Sequence, residues 1–90
     1  MAVSVSLGAV NQAEKICHEA ITELNNSSQR LNTRFHDAGQ RWKDNKYKQL
    51  GVIIDDCSKA MRSPIDELFE CINKLQALEK AILEYEGQSL

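Results

Sequence analysis

The sequence predicts an all-α protein: an antiparallel two-helix hairpin that dimerises into a four-helix bundle. Three observations carry this expectation. Apolar residues recur at steps of three, four and seven along two long stretches, the spacing of a helix face rather than the alternation of a strand. A short polar segment holding the single tryptophan, Trp42, separates the two stretches. Ninety residues arranged as one helix pair also have too little interior to bury those apolar positions alone, so a partner chain is expected.

At the N-terminus, Val3, Val5 and Leu7 alternate with serines. The run is too short and isolated to define a strand, and it predicts a loosely docked tail. The first helix is expected over about 8–39, with Ser6 or Asn11 as its N-cap and Glu14 at capping-box spacing from Asn11. Its stripe is Val10, Cys17, Leu24, Leu31 and Ala38 at intervals of seven, with Ile21 and Phe35 alongside. Asn25-Asn26-Ser27-Ser28 has poor helix propensity and predicts a bend or a small gap in the interface. Gly39 is positioned to end the helix as a C′ glycine.

A turn over about 40–45 should follow, with Asp44 or Asn45 capping the second helix by accepting bonds from its free backbone donors. That helix is expected over about 46–86. Its stripe reads Tyr47, Leu50, Ile54, Cys57, Met61, Pro64, Leu68, Cys71, Leu75, Leu78, Ile82 and Tyr85, in alternating steps of three and four. Ile65 and Ile72 widen it on one flank, which suits contact with more than one neighbouring helix. Pro64 lacks a backbone donor and its ring collides with the preceding turn. Ser63-Pro64-Ile65-Asp66 also reads as a fresh helix start, so a kink or one-turn break is expected near 60–64. The register survives it, and the chain should continue in the same direction. The helix should stop near Glu86 and Gly87, leaving residues 88–90 frayed.

Composition narrows the function classes. The net charge of −2 arises from interspersed signs, which gives no general attraction to nucleic acid or an anionic membrane. Arg41, Lys43, Lys46 and Lys48 around Trp42 and Tyr47 form a small basic cluster, but Asp44 and the acidic whole argue against nucleic-acid binding. No apolar run is long enough to insert into a membrane, and the N-terminus carries neither a basic segment nor an apolar leader. A cytoplasmic protein is expected, any export using a route without a cleaved signal.

Enzymatic chemistry is not expected. Cys17 and His18 are sequence neighbours, and on a helix their side chains diverge by about 100°. His36 belongs beside or outside the stripe, and the acid pairs Asp55-Asp56 and Asp66-Glu67 diverge in the same way. The four glycines are too scattered for a phosphate loop. Cys17, Cys57 and Cys71 have neither disulfide-framework nor metal-site spacing and read as three small buried thiols. No catalytic residue, metal ligand or cofactor site is expected. A metal or redox protein built on these cysteines and histidines is the outsider.

Two helical arms with a tryptophan in the connection, followed by a long heptad arm, resemble the WXG family of small helical hairpins from bacterial type VII secretion systems. The resemblance spans about residues 8–86 and rests on one motif, Trp-X-Gly, which here reads Trp42-Lys43-Asp44. It implies pairing into four-helix bundles and, for many members, an export motif of the form Tyr-X-X-X-Asp/Glu. This chain has Tyr85 but Ser89 four residues on. The implied role is therefore a non-enzymatic partner of a type VII substrate, either co-secreted or a targeting factor that pairs with the helical N-terminal domain of a larger toxin. Trp42, Asp44 and Tyr47 would serve partner recognition at the turn. Val10, Cys17, Leu24, Leu31, Phe35, Leu50, Ile54, Met61, Leu68, Leu75, Leu78 and Ile82 would form the interface with a second copy or with another hairpin. The alternative is a structural coiled-coil or bundle adapter unrelated to secretion, and only the tryptophan turn discriminates against it.

Overall fold

The computed structural model describes the backbone of residues 2–88 and the side chains of residues 7–87. Two helices, α1 (Ala2–Ala38) and α2 (Asn45–Gln88), form a helical hairpin, and no strand occurs among the described residues. Two compact units divide it. Thr22–Ile65 makes the turn unit, and the residues up to Ile21 pack with those from Asp66 onward in the second, terminal unit.

α1 begins several residues before the expected tail gives way to helix. A lone strand leaves its backbone groups unpaired, whereas a helix satisfies its own. Leu7, one helical step before Val10, is half-buried and extends the stripe. Neither Ser6 nor Asn11 caps the helix, since both lie within it. The helix also runs unbroken through Asn25–Ser28. Ser27 and Ser28 are half-buried there, and Asn32 Nδ2 donates to the Ser28 carbonyl (3.0 Å) and across the hairpin to Ser58 Oγ (3.4 Å). The weak stretch is thus a polar layer of the turn unit.

α2 continues through Pro64 without the expected break. One missing donor is outweighed by the packing of Met61 before it and of Ile65, Leu68 and Ile72 after it, all of them buried or half-buried. The helix reaches Gln88, and the remainder of the expected frayed end lies outside the described residues.

The inward face of α2 differs from the predicted stripe. Tyr47, Ile54, Met61, Leu68, Leu75 and Ile82 are half-buried as expected. The companion row, however, is Gly51, Ser58, Ile65, Ile72, Glu79 and Glu86, each half-buried or buried. Leu50, Cys57, Cys71, Leu78 and Tyr85 are exposed, with Pro64 half-buried among them. Ile65 and Ile72 therefore belong to the inner row and the other series is the flank. On α1, Val10 and Ile21 are buried and Cys17, Leu24, Leu31, Phe35 and Ala38 half-buried.

Candidate functional site

The turn is built by backbone bonds. The Gly39 N–H donates to the carbonyls of Phe35 and His36, both at 3.1 Å; Gln40 donates to Asp37 (3.2 Å), and Arg41 and Trp42 donate to Ala38 (3.1 Å each). These three- and four-residue bonds tighten the helix end in place of a left-handed glycine, and no described glycine has a positive φ. Gly39 is needed for another reason: a Cβ there would collide with the Tyr47 hydroxyl and sit 2.8 Å from its Cζ.

Asp44 is the N-cap of α2. Its Oδ1 accepts from the Tyr47 N–H at 3.0 Å, satisfying one of the donors left free at a helix start. That cap sets the position of Tyr47, whose ring stacks on Phe35 with centroids 4.3 Å apart and planes 7° from parallel. The Tyr47 hydroxyl donates to the Phe35 carbonyl at 3.1 Å. Gly51 lies against the other partner, since an added Cβ would fall 2.9 Å from Phe35 Cζ. Phe35, Tyr47, Gly39 and Gly51 thus form an aromatic clamp that closes the turn. Gly39 was expected only as a helix stop and Gly51 had no expected role, because the value of both lies in the absence of a side chain. The available signal was the pair of aromatics twelve residues apart across a turn.

Trp42 does not take part in this clamp. It is 63% exposed, so the ring is displayed to solvent. At the same turn, His36, Gly39, Gln40, Lys43, Tyr47 and Lys48 line an open recess of about 400 Å³. The turn therefore offers a large aromatic surface beside cationic side chains, a pairing suited to protein recognition.

The terminal unit carries a different feature. Glu14 of α1 and Glu79 of α2 face each other across the hairpin at inner-row positions, and Glu14 Oε1 is covered without a hydrogen-bond partner. Desolvation, then the charge of Glu79 and its shared hydrogen bond, hold the Glu14 carboxyl above its ordinary value, with His18 opposing. A raised carboxylate favours the folded state in its protonated form. Its contribution is full below the ordinary value and is lost as pH rises through the raised one. Melting temperature should therefore climb as pH falls from neutral towards the carboxylate range. Glu14→Gln should raise it at neutral pH and flatten that dependence; an unchanged profile in a thermal melt would contradict the placement.

The predicted site residues are thus dispersed. Asp44 and Tyr47 are structural parts of the turn, Trp42 stands outside the aromatic clamp, and Leu50 and Leu78 lie on the outer flank of α2. The expectation of three buried thiols is corrected: Cys17 is half-buried, while Cys57 and Cys71 are exposed and all three are free. Cys57 and Cys71 lie on the outer row of α2 because the inner row is taken by the residue one place further on. Among the described residues, no group of three or more metal-ligating side chains converges, and no helix is long and apolar enough to cross a membrane. No family model matches this chain, and no curated protein or solved structure does either.

Proposed function

We propose that this protein is a non-enzymatic helical interaction partner, and that its setting is a bacterial type VII secretion system, where it pairs with another helical hairpin such as the N-terminal domain of a larger toxin. The observation that carries the reading is Trp42, the chain's one tryptophan, displayed at the turn while Phe35 and Tyr47 perform the closure. A large aromatic that the fold does not use is typical of an interface anchor, because its burial on binding releases water from a large apolar area. Apolar rows on α2 supply the remaining contact surface, and the charged flanks select the partner.

A bundle adapter unrelated to secretion would use the same rows, and the outer row of α2 favours it as much as the secretion reading. Trp42 separates the two. Trp42→Ala is expected to leave helicity and melting within about 0.5 kcal/mol of the parent, as for an exposed residue without structural partners. Capture of the helical partner, and export in a type VII host, should fall at least tenfold. Partner capture and export that survive the substitution unchanged would reject the recognition role, and a collapse of the melt would make Trp42 a packing residue first.

A further inference from the structure

We infer that the turn is a docking site for an acidic segment of the partner protein, a carboxylate of which seats between Lys43 and Lys48 while an adjoining apolar residue covers Trp42. This rests on the interaction reading in taking the turn as the binding end, and deepens it by naming the partner's chemistry.

Charge is divided unevenly along the chain. The turn unit, Thr22–Ile65, carries eight lysines and arginines against five aspartates and glutamates, a net of +3. The remaining residues carry three against eight, a net of −5. The overall −2 therefore conceals a basic unit. Its excess gathers at the turn, where Arg41, Lys43, Lys46 and Lys48 are all exposed. The acids of the unit do not neutralise them. Asp44 is turned to the backbone, its Oδ1 accepting from the Tyr47 N–H. Asp55 pairs with Lys59 at 2.9 Å, further along α2, and among the described residues none of the four turn cations has a carboxylate partner.

The recess gives these cations a place to act. Its lining includes Lys43 and Lys48 but no carboxylate, and His36 and Gln40 add polar side chains. One wall is fixed in advance, because Tyr47 stacks on Phe35, its hydroxyl donates to the Phe35 carbonyl, and Gly39 leaves room for that hydroxyl. A ligand that seats there does not have to order the turn, which lowers the cost of binding. Trp42, 63% exposed at the same turn, supplies the apolar contact that ammonium groups lack.

Size favours a peptide over a larger polyanion. Charges act over roughly 10 Å at 0.1 M salt, so a short segment at the turn meets the local excess of cations. A nucleic acid or an anionic bilayer extends far beyond that range and meets the net −2 of the whole chain.

Fluorescence anisotropy with the full chain tests the site. The probe is a labelled dodecapeptide of alternating glutamate and leucine, compared with its glutamine analogue, an oligothymidylate and phosphatidylserine vesicles. The glutamate peptide should bind about tenfold tighter than the glutamine peptide at low salt, the yield of a few exposed ion pairs. The preference should fade towards about 1 M salt, where the screening length is about 3 Å. Lys43→Glu/Lys48→Glu should abolish it and Lys43→Gln/Lys48→Gln reduce it, with helicity unchanged in both. Lys74→Glu/Lys80→Glu, the same change in net charge made in the terminal unit, should leave it intact. Equal binding of the two peptides, equal effects of the two charge reversals, or tighter binding of the oligonucleotide or the vesicles would overturn the inference. If the two peptides bind alike while Trp42→Ala still abolishes capture of the helical partner, the interaction reading stands and the acidic chemistry alone falls. Peptides that bind alike, together with capture that survives Trp42→Ala, remove both.

Discussion

Replacing Ile72 with alanine is expected to unfold most of the hairpin, whereas the same change at Leu78 should leave it folded. Ile72 is 4% exposed, the most enclosed of the buried side chains among the described residues, Val10, Ile21 and Ile72. Glu14 faces Glu79, and in an antiparallel pair seven residues forward along α1 and seven back along α2 set Ile21 level with Ile72. Truncating a buried isoleucine costs about 2–5 kcal/mol through lost burial and the cavity left behind. Single domains rarely have more than about 5–15 kcal/mol in total, and a small helix pair lies at or below the low end. Truncating half-exposed Leu78 removes little burial from the hairpin. Far-ultraviolet circular dichroism through a urea titration reads the difference. Equal losses at both positions would mean that the inner and outer rows of α2 have been exchanged.

Gly51→Val should be the second large effect, confined to the turn unit. The new Cβ would press on Phe35 Cζ, and Phe35 is also held by the Tyr47 stack and, through its backbone carbonyl, by the Tyr47 hydroxyl. Moving Phe35 aside therefore loosens two further contacts. Overpacking of this kind costs about 1–3 kcal/mol. The gain from removing a helical glycine is at most about 1 kcal/mol, and less for a β-branched residue. A fall in melting temperature is expected for valine, with alanine close to neutral. Combining Gly51→Val with Phe35→Leu should recover part of the loss, since the two residues touch. Should valine and alanine melt alike, with no coupling to Phe35, the clamp does not constrain the turn.

The legible parts of the molecule were those governed by local chemistry. Val10, Cys17, Leu24, Leu31 and Ala38 repeat every seven residues with no competing apolar row, and they face inward. Asp44 was readable as a cap because a short acceptor before a helical run has one main use. The second helix was harder. Two rows flank its common series, Leu50, Cys57, Pro64, Cys71, Leu78 and Tyr85 on one side and Gly51, Ser58, Ile65, Ile72, Glu79 and Glu86 on the other. Hydrophobicity alone selects the first, and the fold buries the second. Gly51 and Ser58 have the small side chains that let the helices close on Phe35 and Asn32 at the turn, and once the turn sets the rotation of α2, the rest of the row follows.

The sequence by itself determined an all-helical chain of two long arms joined at Trp42, because periodicity and capping act within a few residues of one another. Only the tertiary structure decided which row of α2 meets α1, that Tyr47 rather than Trp42 closes the turn, and that Cys57 and Cys71 face outward. Those outcomes depend on how closely two helices can approach, a property of facing pairs such as Gly51 with Phe35 and Gly39 with Tyr47. No single position carries that information, so it appears only when both arms are in place.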